Sequence, residues 1–249
     1  MAVATGAIRD VFEDSLNENN GFEIDYDAET SAFTNECKEF MNKFVSKIFS
    51  GSEITQEEKA QFGVVCQHSP AREWFARYIN MQRVENKCVD EITFFRLVQY
   101  FATVLFECHQ ADDFPPAKTL MNMCFTFCHV FRAGKTIERK QFLHVYLKDQ
   151  PIWRTLRFWN AAFLDSVHNE KHSPTLPQSD WNNLSENDKQ DKMEQHKNSI
   201  FGQLGTFGNN MKAFGLPKST CQEFIQKMSV IGELDKEQIA LLQKNFGDC

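Results

Sequence analysis

Four groups of residues have the types and spacing to do chemistry. Cys66-Gln67-His68-Ser69-Pro70-Ala71-Arg72 carries a Cys-x5-Arg spacing. In tyrosine-type phosphatases such a thiolate attacks phosphorus, while loop amides and the arginine hold the oxyanion. That cradle needs a glycine-bearing loop. This loop has no glycine, and Pro70 lacks an amide hydrogen. Ser69-Pro70 reads better as a helix start. Cys108-His109 and Cys124-x3-Cys128-His129 could supply soft ligands to zinc. However, Cys124 and Cys128 lie one helical turn apart among Met121, Met123, Phe125 and Phe127, as core thiols do, and no Cys-x2-Cys pair occurs. Ala133-Gly134-Lys135-Thr136 has the form of the end of a phosphate-binding loop, but the glycine needed five residues before Gly134 is His129. A helix C-cap at Gly134 accounts for it better. Asp112-Asp113 reads as a charge pair at a helix start. No His-Glu-x-x-His, Gly-x-Ser-x-Gly or dinucleotide fingerprint occurs. The sequence therefore assigns no catalytic, cofactor-binding or metal-ligating residue. A cysteine-dependent phosphoesterase using Cys66 and Arg72, or a metal protein using the Cys108–His129 cluster, is kept as the alternative.

The elements that would position these groups all read as helices. The central one starts at Pro151, a residue suited to a first helical position. Its large residues fall at Ile152, Trp153, Leu156, Trp159, Phe163 and Val167, with Arg154, Arg157 and Asp165 left as charge. It is expected to run to about Lys171. Before it, Phe33, Cys37, Phe40, Met41, Phe44, Val45 and Ile48 share one helical face that ends at Ser50-Gly51. Thr55-Gln56-Glu57-Glu58 reads as a capping box. Ser69-Pro70 opens a third helix, and Asp90 a fourth that is apolar nearly all round. After the break at Asp112–Pro116, the pattern predicts a buried helix from about Ala117 to Phe131, then a shorter one over 137–148.

Residues 172–198 form a polar loop or insert, with Pro174 and Pro177 in its first part and 185–198 reading as an exposed helix or a mobile insert. A helix follows over Ile200–Phe214, in which Gly202, Gly205 and Gly208 permit close backbone approach. Two short helices close the chain, over about 218–229 and 235–246, the second capped by Asp235. No strand alternation is evident. The fold class is all-α: a single domain of about ten helices over 31–249. An acidic tail, 1–30, precedes it. That tail carries eight acids against Arg9 and is expected to be disordered.

Composition narrows the function classes. The net charge of −7, with no basic run, argues against a broad nucleic-acid surface and against docking on anionic membranes. No apolar run approaches the roughly 20 residues of a membrane span. The eight cysteines sit mostly within apolar helical patterns, and the start MAVATGAIRD has no apolar signal core. Reduced thiols in the cytoplasm are the expectation. The 24 phenylalanines imply a large aromatic core.

Several segments carry a further signal. They are Arg72-Glu73-Trp74-Phe75-Ala76, the run from Cys88 to Val98, Phe106-Glu107-Cys108 with Asp112-Asp113-Phe114, and Ile152-Trp153 with Arg157-Phe158-Trp159-Asn160-Ala161-Ala162-Phe163. Together they resemble the helical SET-binding-factor-type domain of myotubularin-related pseudophosphatases. Phe201–Phe207 and Val230–Asp235 resemble a stand-alone form of that domain. The resemblance implies a helical fold with no assigned catalytic residues, a cytoplasmic location and a setting in nervous tissue. The expected function is a non-enzymatic adaptor that binds other proteins, plausible in membrane traffic or cytoskeletal signalling, with a homodimer also possible and no cofactor. Arg154, Arg157 and Asp165, beside the tryptophan-rich face, are the candidate partner-binding residues.

Overall fold

The computed structural model describes residues 28–133, 137–172 and 185–247. The acidic tail before Ala28 lies outside them, as does the expected C-cap at Gly134. Helix α1 (Ala28–Ser50) begins within the stretch assigned to the tail. Its turns up to Glu36 form a unit of their own, in which Phe33 is exposed rather than buried. From Cys37 onward α1 buries Cys37, Met41, Phe44, Val45 and Ile48. Helix α2 (Gln56–Val65) starts at the expected capping box: the Glu58 amide donates to Thr55 Oγ1 at 3.2 Å, and the Thr55 amide donates to Glu58 Oε2 at 2.9 Å.

Helix α3 spans Ser69–Gln82 and α4 spans Glu91–Ala111. Asp90 caps α4 by accepting from the Thr93 amide at 3.0 Å. α4 is central but not buried all round. Phe94, Leu97, Phe101, Val104, Leu105 and Cys108 face the core, whereas Ile92, Phe95 and Phe106 are exposed. Asp112 takes a left-handed conformation and turns the chain into α5 (Phe114–Cys124), which packs on α3 and α4.

The next segment departs from the sequence reading. The expected helix stops at Cys124, and an antiparallel hairpin follows: β1 (Cys128–Ala133) pairs with β2 (Ile137–Phe142), Cys128 opposite Phe142 and Phe131 opposite Arg139. Phe125–Phe131 satisfies a helical pattern locally. The ladder partner that makes Cys128–Phe131 a strand is contributed by the polar stretch after it, so tertiary pairing overrides propensity. A short α6 (His144–Leu147) leads into a 3-10 turn, Pro151–Arg154.

The helix expected from Pro151 is likewise broken. Thr155 is extended, and α7 runs from Leu156 to His172. The break lets both indoles enter the core and satisfy their N–H groups. Trp153 Nε1 donates to the Leu147 carbonyl at 2.8 Å, and Trp159 Nε1 to the Trp153 carbonyl at 2.8 Å. Of the two readings of the polar stretch after Ser185, exposed helix or mobile insert, the structure shows the helix. It is the first half of one 28-residue helix, α8 (Glu186–Ala213). Helices α9 (Lys218–Ile231) and α10 (Lys236–Gly247) pack beside it. Asp235 caps α10, accepting from the Gln238 amide at 2.8 Å. Among the described residues this makes ten α-helices and one hairpin, confirming the helical class and correcting the expected lack of strands.

Of the three glycines on α8, Gly208 is the one at a close approach. A Cβ there would sit 2.3 Å from the Phe246 ring of α10. Gly208→Ala must displace that ring from its buried seat, a cost toward the upper end of about 1–3 kcal/mol for a contact this close, which outweighs the helix-propensity gain of about 1 kcal/mol. Gly202→Ala meets nothing within 4 Å and gains helix propensity of about 1 kcal/mol. Urea unfolding of the two variants should therefore move in opposite directions.

Candidate docking groove

The Cys66–Arg72 pair is built for structure. Cys66 ends α2 and is fully buried. Burial pushes its thiol far above the usual range; Cys108 and Glu107 add to the rise and Arg72 opposes it. Such a thiol supplies no thiolate nucleophile near neutral pH. Arg72 Nη1 donates to the carbonyls of Cys66 (2.9 Å) and Gln67 (2.8 Å), and its Nε donates to Asp113 Oδ2 at 2.8 Å. The Ser69 hydroxyl donates to the same carboxylate oxygen at 2.9 Å. Ser69 therefore links α3 to the start of α5, and the N-cap of α3 is His68. The guanidinium ties the end of α2 to the start of α5 through Nη1 and Nε.

The cysteine and histidine cluster does not converge. Cys108 is buried in α4 and Cys124 at the end of α5, and burial raises both thiols. Cys128 starts β1 beside Cys88, while His129 Nδ1 lies 2.9 Å from the Val89 carbonyl oxygen. Among the described residues no three His, Cys, Asp or Glu side chains are placed to hold a metal ion. At Ala133–Thr136 a strand precedes the glycine, but a second strand follows it where a phosphate-binding loop needs a helix.

Arg154, Arg157 and Asp165 are tied to three different parts of the chain. Arg154 Nη1 donates to the Gly215 carbonyl at 2.9 Å, and its Nη2 lies 3.3 Å from Asp149. Arg157 pairs with Asp112 at 2.9 Å and remains largely exposed. Asp165 accepts from Lys118 of α5 at 2.5 Å. Of the three, Asp165 lines an open groove.

That groove has a volume of about 580 Å³. Leu164, Asp165, Val167 and His168 of α7 form one wall, and Met193, His196, Lys197 and Ile200 of α8 the other. Ile231, Gly232 and Glu233, at the end of α9, close one side. Below it the helices are locked by an aromatic cluster: Phe163 to Phe207 at 5.6 Å, Phe163 to Phe224 at 5.9 Å and Phe207 to Phe224 at 6.2 Å between ring centres. Gly232 lets the end of α9 settle on α8, because a Cβ there would come within 2.6 Å of Ile200. Glu233 then turns away in a left-handed conformation. Leu164, Met193 and Ile231 are 42–52% exposed on the rim. The result is an apolar channel with mixed charge at its margin.

The sequence singles out Asp165, which lines the groove, but not the groove itself. Met193 lies in a stretch that reads as solvated, and Ile231 follows the expected end of its helix. The i, i+4 spacing of Met193, Lys197 and Phe201 was the available signal.

Comparison with known proteins places the chain in a family. No solved structure matches the chain. The human protein described as "Uncharacterized protein KIAA0513" is 36% identical, over 94% of this chain and 80% of its own length. The family described as "SBF2: Myotubularin protein" matches residues 23–231. The chain belongs to that SBF2, myotubularin-related family.

Proposed function

We propose that this protein is a non-enzymatic adaptor that seats an amphipathic helix of a partner protein in the α7–α8–α9 groove. The observation that carries the reading is the exposed apolar rim of Leu164, Met193 and Ile231 around an open channel of about 580 Å³. Exposed apolar side chains grouped in a concave surface and rimmed by charge are the usual features of a helix-binding site. Lys197, His168, His196 and Glu233 would orient the incoming helix, and Asp165 holds the α7 wall to Lys118. The resemblance to the stand-alone family form supports a cytoplasmic setting in neurons, in membrane traffic or cytoskeletal signalling. Among the described residues no helix is long and apolar enough to cross a membrane.

The test is capture from neuronal cytosol on the immobilised full chain, beside Ile231→Asp and Met193→Asp. Both positions are about half exposed, so both variants should fold. Losing one buried apolar anchor is worth about 1.5–3 kcal/mol, or tenfold and more in affinity. A partner held by the parent and lost by both variants is the expected result. A partner retained by both moves the surface elsewhere. Replacing Arg154, Arg157 and Asp165 by Ala then asks whether it lies at the start of α7. Light scattering at several dilutions separates a partner from a second copy of this chain.

A further inference from the structure

We propose that Cys88 and Cys128 form a reversible intramolecular disulfide, a redox modification site joining the segment before α4 to strand β1. Their sulfur atoms lie 3.0 Å apart, about 1 Å beyond a disulfide's length of about 2.05 Å. The backbone sets this geometry. The Cys128 amide donates to the Lys87 carbonyl at 2.9 Å, and the Val89 amide donates to the Cys128 carbonyl at 2.9 Å. Those two bonds make Cys88 and Cys128 direct partners in an isolated parallel bridge. Directly paired residues of adjacent strands have the Cα spacing a disulfide requires. His129 Nδ1, at 2.9 Å from the Val89 oxygen, adds a third tie, and the Asp90 cap fixes the other end of the segment.

The two thiols differ in access. Cys88 is the exposed cysteine among those described, whereas Cys128 is buried. Cys88 therefore reacts first with an outside oxidant, here a small-molecule disulfide such as oxidised glutathione. Cys88 releases its proton to water, and its thiolate attacks one glutathione sulfur. A mixed disulfide forms and one glutathione thiolate leaves. Cys128 then loses its proton and attacks the Cys88 sulfur. The Cys88–Cys128 bond forms and the second glutathione thiolate leaves. Two protein thiols are oxidised by two electrons, and one glutathione disulfide is reduced to two thiols. Burial and the adjacent Cys88 thiol push Cys128 up to about 11, with Lys140 opposing, so the second step quickens as pH rises.

The bond would close a loop 40 residues apart in sequence that contains α4 and α5. Closing a loop of that size should raise the Tm by roughly 5–15 °C. The experiment treats the full chain with oxidised glutathione, digests it without reduction and maps the peptides by mass spectrometry beside a thermal melt. The expected result is a Cys88–Cys128 peptide pair two hydrogen atoms lighter than its parts, with a raised Tm that dithiothreitol reverses. Cys128→Ser should stop at a glutathione adduct on Cys88, and Cys88→Ser should show neither the pair nor the Tm rise. A parent chain that also stops at the adduct, that leaves both thiols open to iodoacetamide, or that links Cys88 between two chains would overturn the proposal. Cys88→Ser changes an exposed side chain, so its folding is not in question.

Discussion

Arg72→Ala should lower the unfolding free energy by about 3–5 kcal/mol, the loss expected when one partner of a buried ion pair is removed. The size follows from what would be left behind. Asp113 would keep a largely buried charge with only the Ser69 hydroxyl beside it, and the carbonyls of Cys66 and Gln67 would lose their donor. Arg72→Lys should recover only part of the loss. A lysine ammonium is a point charge and cannot span a carboxylate and two carbonyls with the fixed fork of a guanidinium. Urea unfolding followed by circular dichroism gives both numbers. A loss below about 1 kcal/mol for Arg72→Ala would mean that the guanidinium is not the clamp between α2 and α5, and would reopen a chemical role for it.

Trp153→Ala should cost about 3–5 kcal/mol. The indole is fully buried and stacked on Phe214 of the α8 terminus at 4.5 Å between ring centres. Trp153→Phe separates packing from hydrogen bonding. The phenyl ring can keep contact with Phe158 and Phe214, but the Leu147 carbonyl loses its donor. A buried acceptor left unpaired costs about 1–3 kcal/mol, so Trp153→Phe should fall between the parent and the alanine variant. Equal losses in the two variants would show that the hydrogen bond, and not the ring, holds the 3-10 turn in place.

Much of this fold could be read from local rules because local chemistry decided it. The capping box at Thr55, the cap at Asp90, the break at Asp112-Asp113 and the cap at Asp235 each involve residues within four positions of one another. Helical spacing picks out Cys37, Met41, Phe44, Val45 and Ile48 of α1 and Trp159 and Phe163 of α7, all buried, but it also picks the exposed Phe33 and passes over the buried Phe158 and Ala162. Where distant residues decide, the reading departed from the structure. Nothing within Cys128–Phe131 says that Arg139 and Phe142 will pair with it, so the hairpin went unread. Thr155 breaks its helix because Trp153 and Trp159 both need core seats and carbonyl partners. The polar first half of α8 read equally as an exposed helix or an insert, because its helical register is set by Ile200, Leu204 and Phe207 farther along. The groove depends on three elements far apart in sequence. Asp165 was visible as a charge beside an apolar face, but its Lys118 partner on α5 was not.

The groove claim is tested most directly by a photoreactive phenylalanine analogue placed at Met193 on the α8 wall. Illumination in neuronal cytosol, followed by peptide mapping, identifies what lies in the channel. The expected product is a cross-link to a partner peptide whose apolar residues recur every three to four positions, lost when Ile231→Asp is added. A partner that still co-purifies with the chain while position 193 labels nothing, or labels only a second copy of this chain, would contradict it.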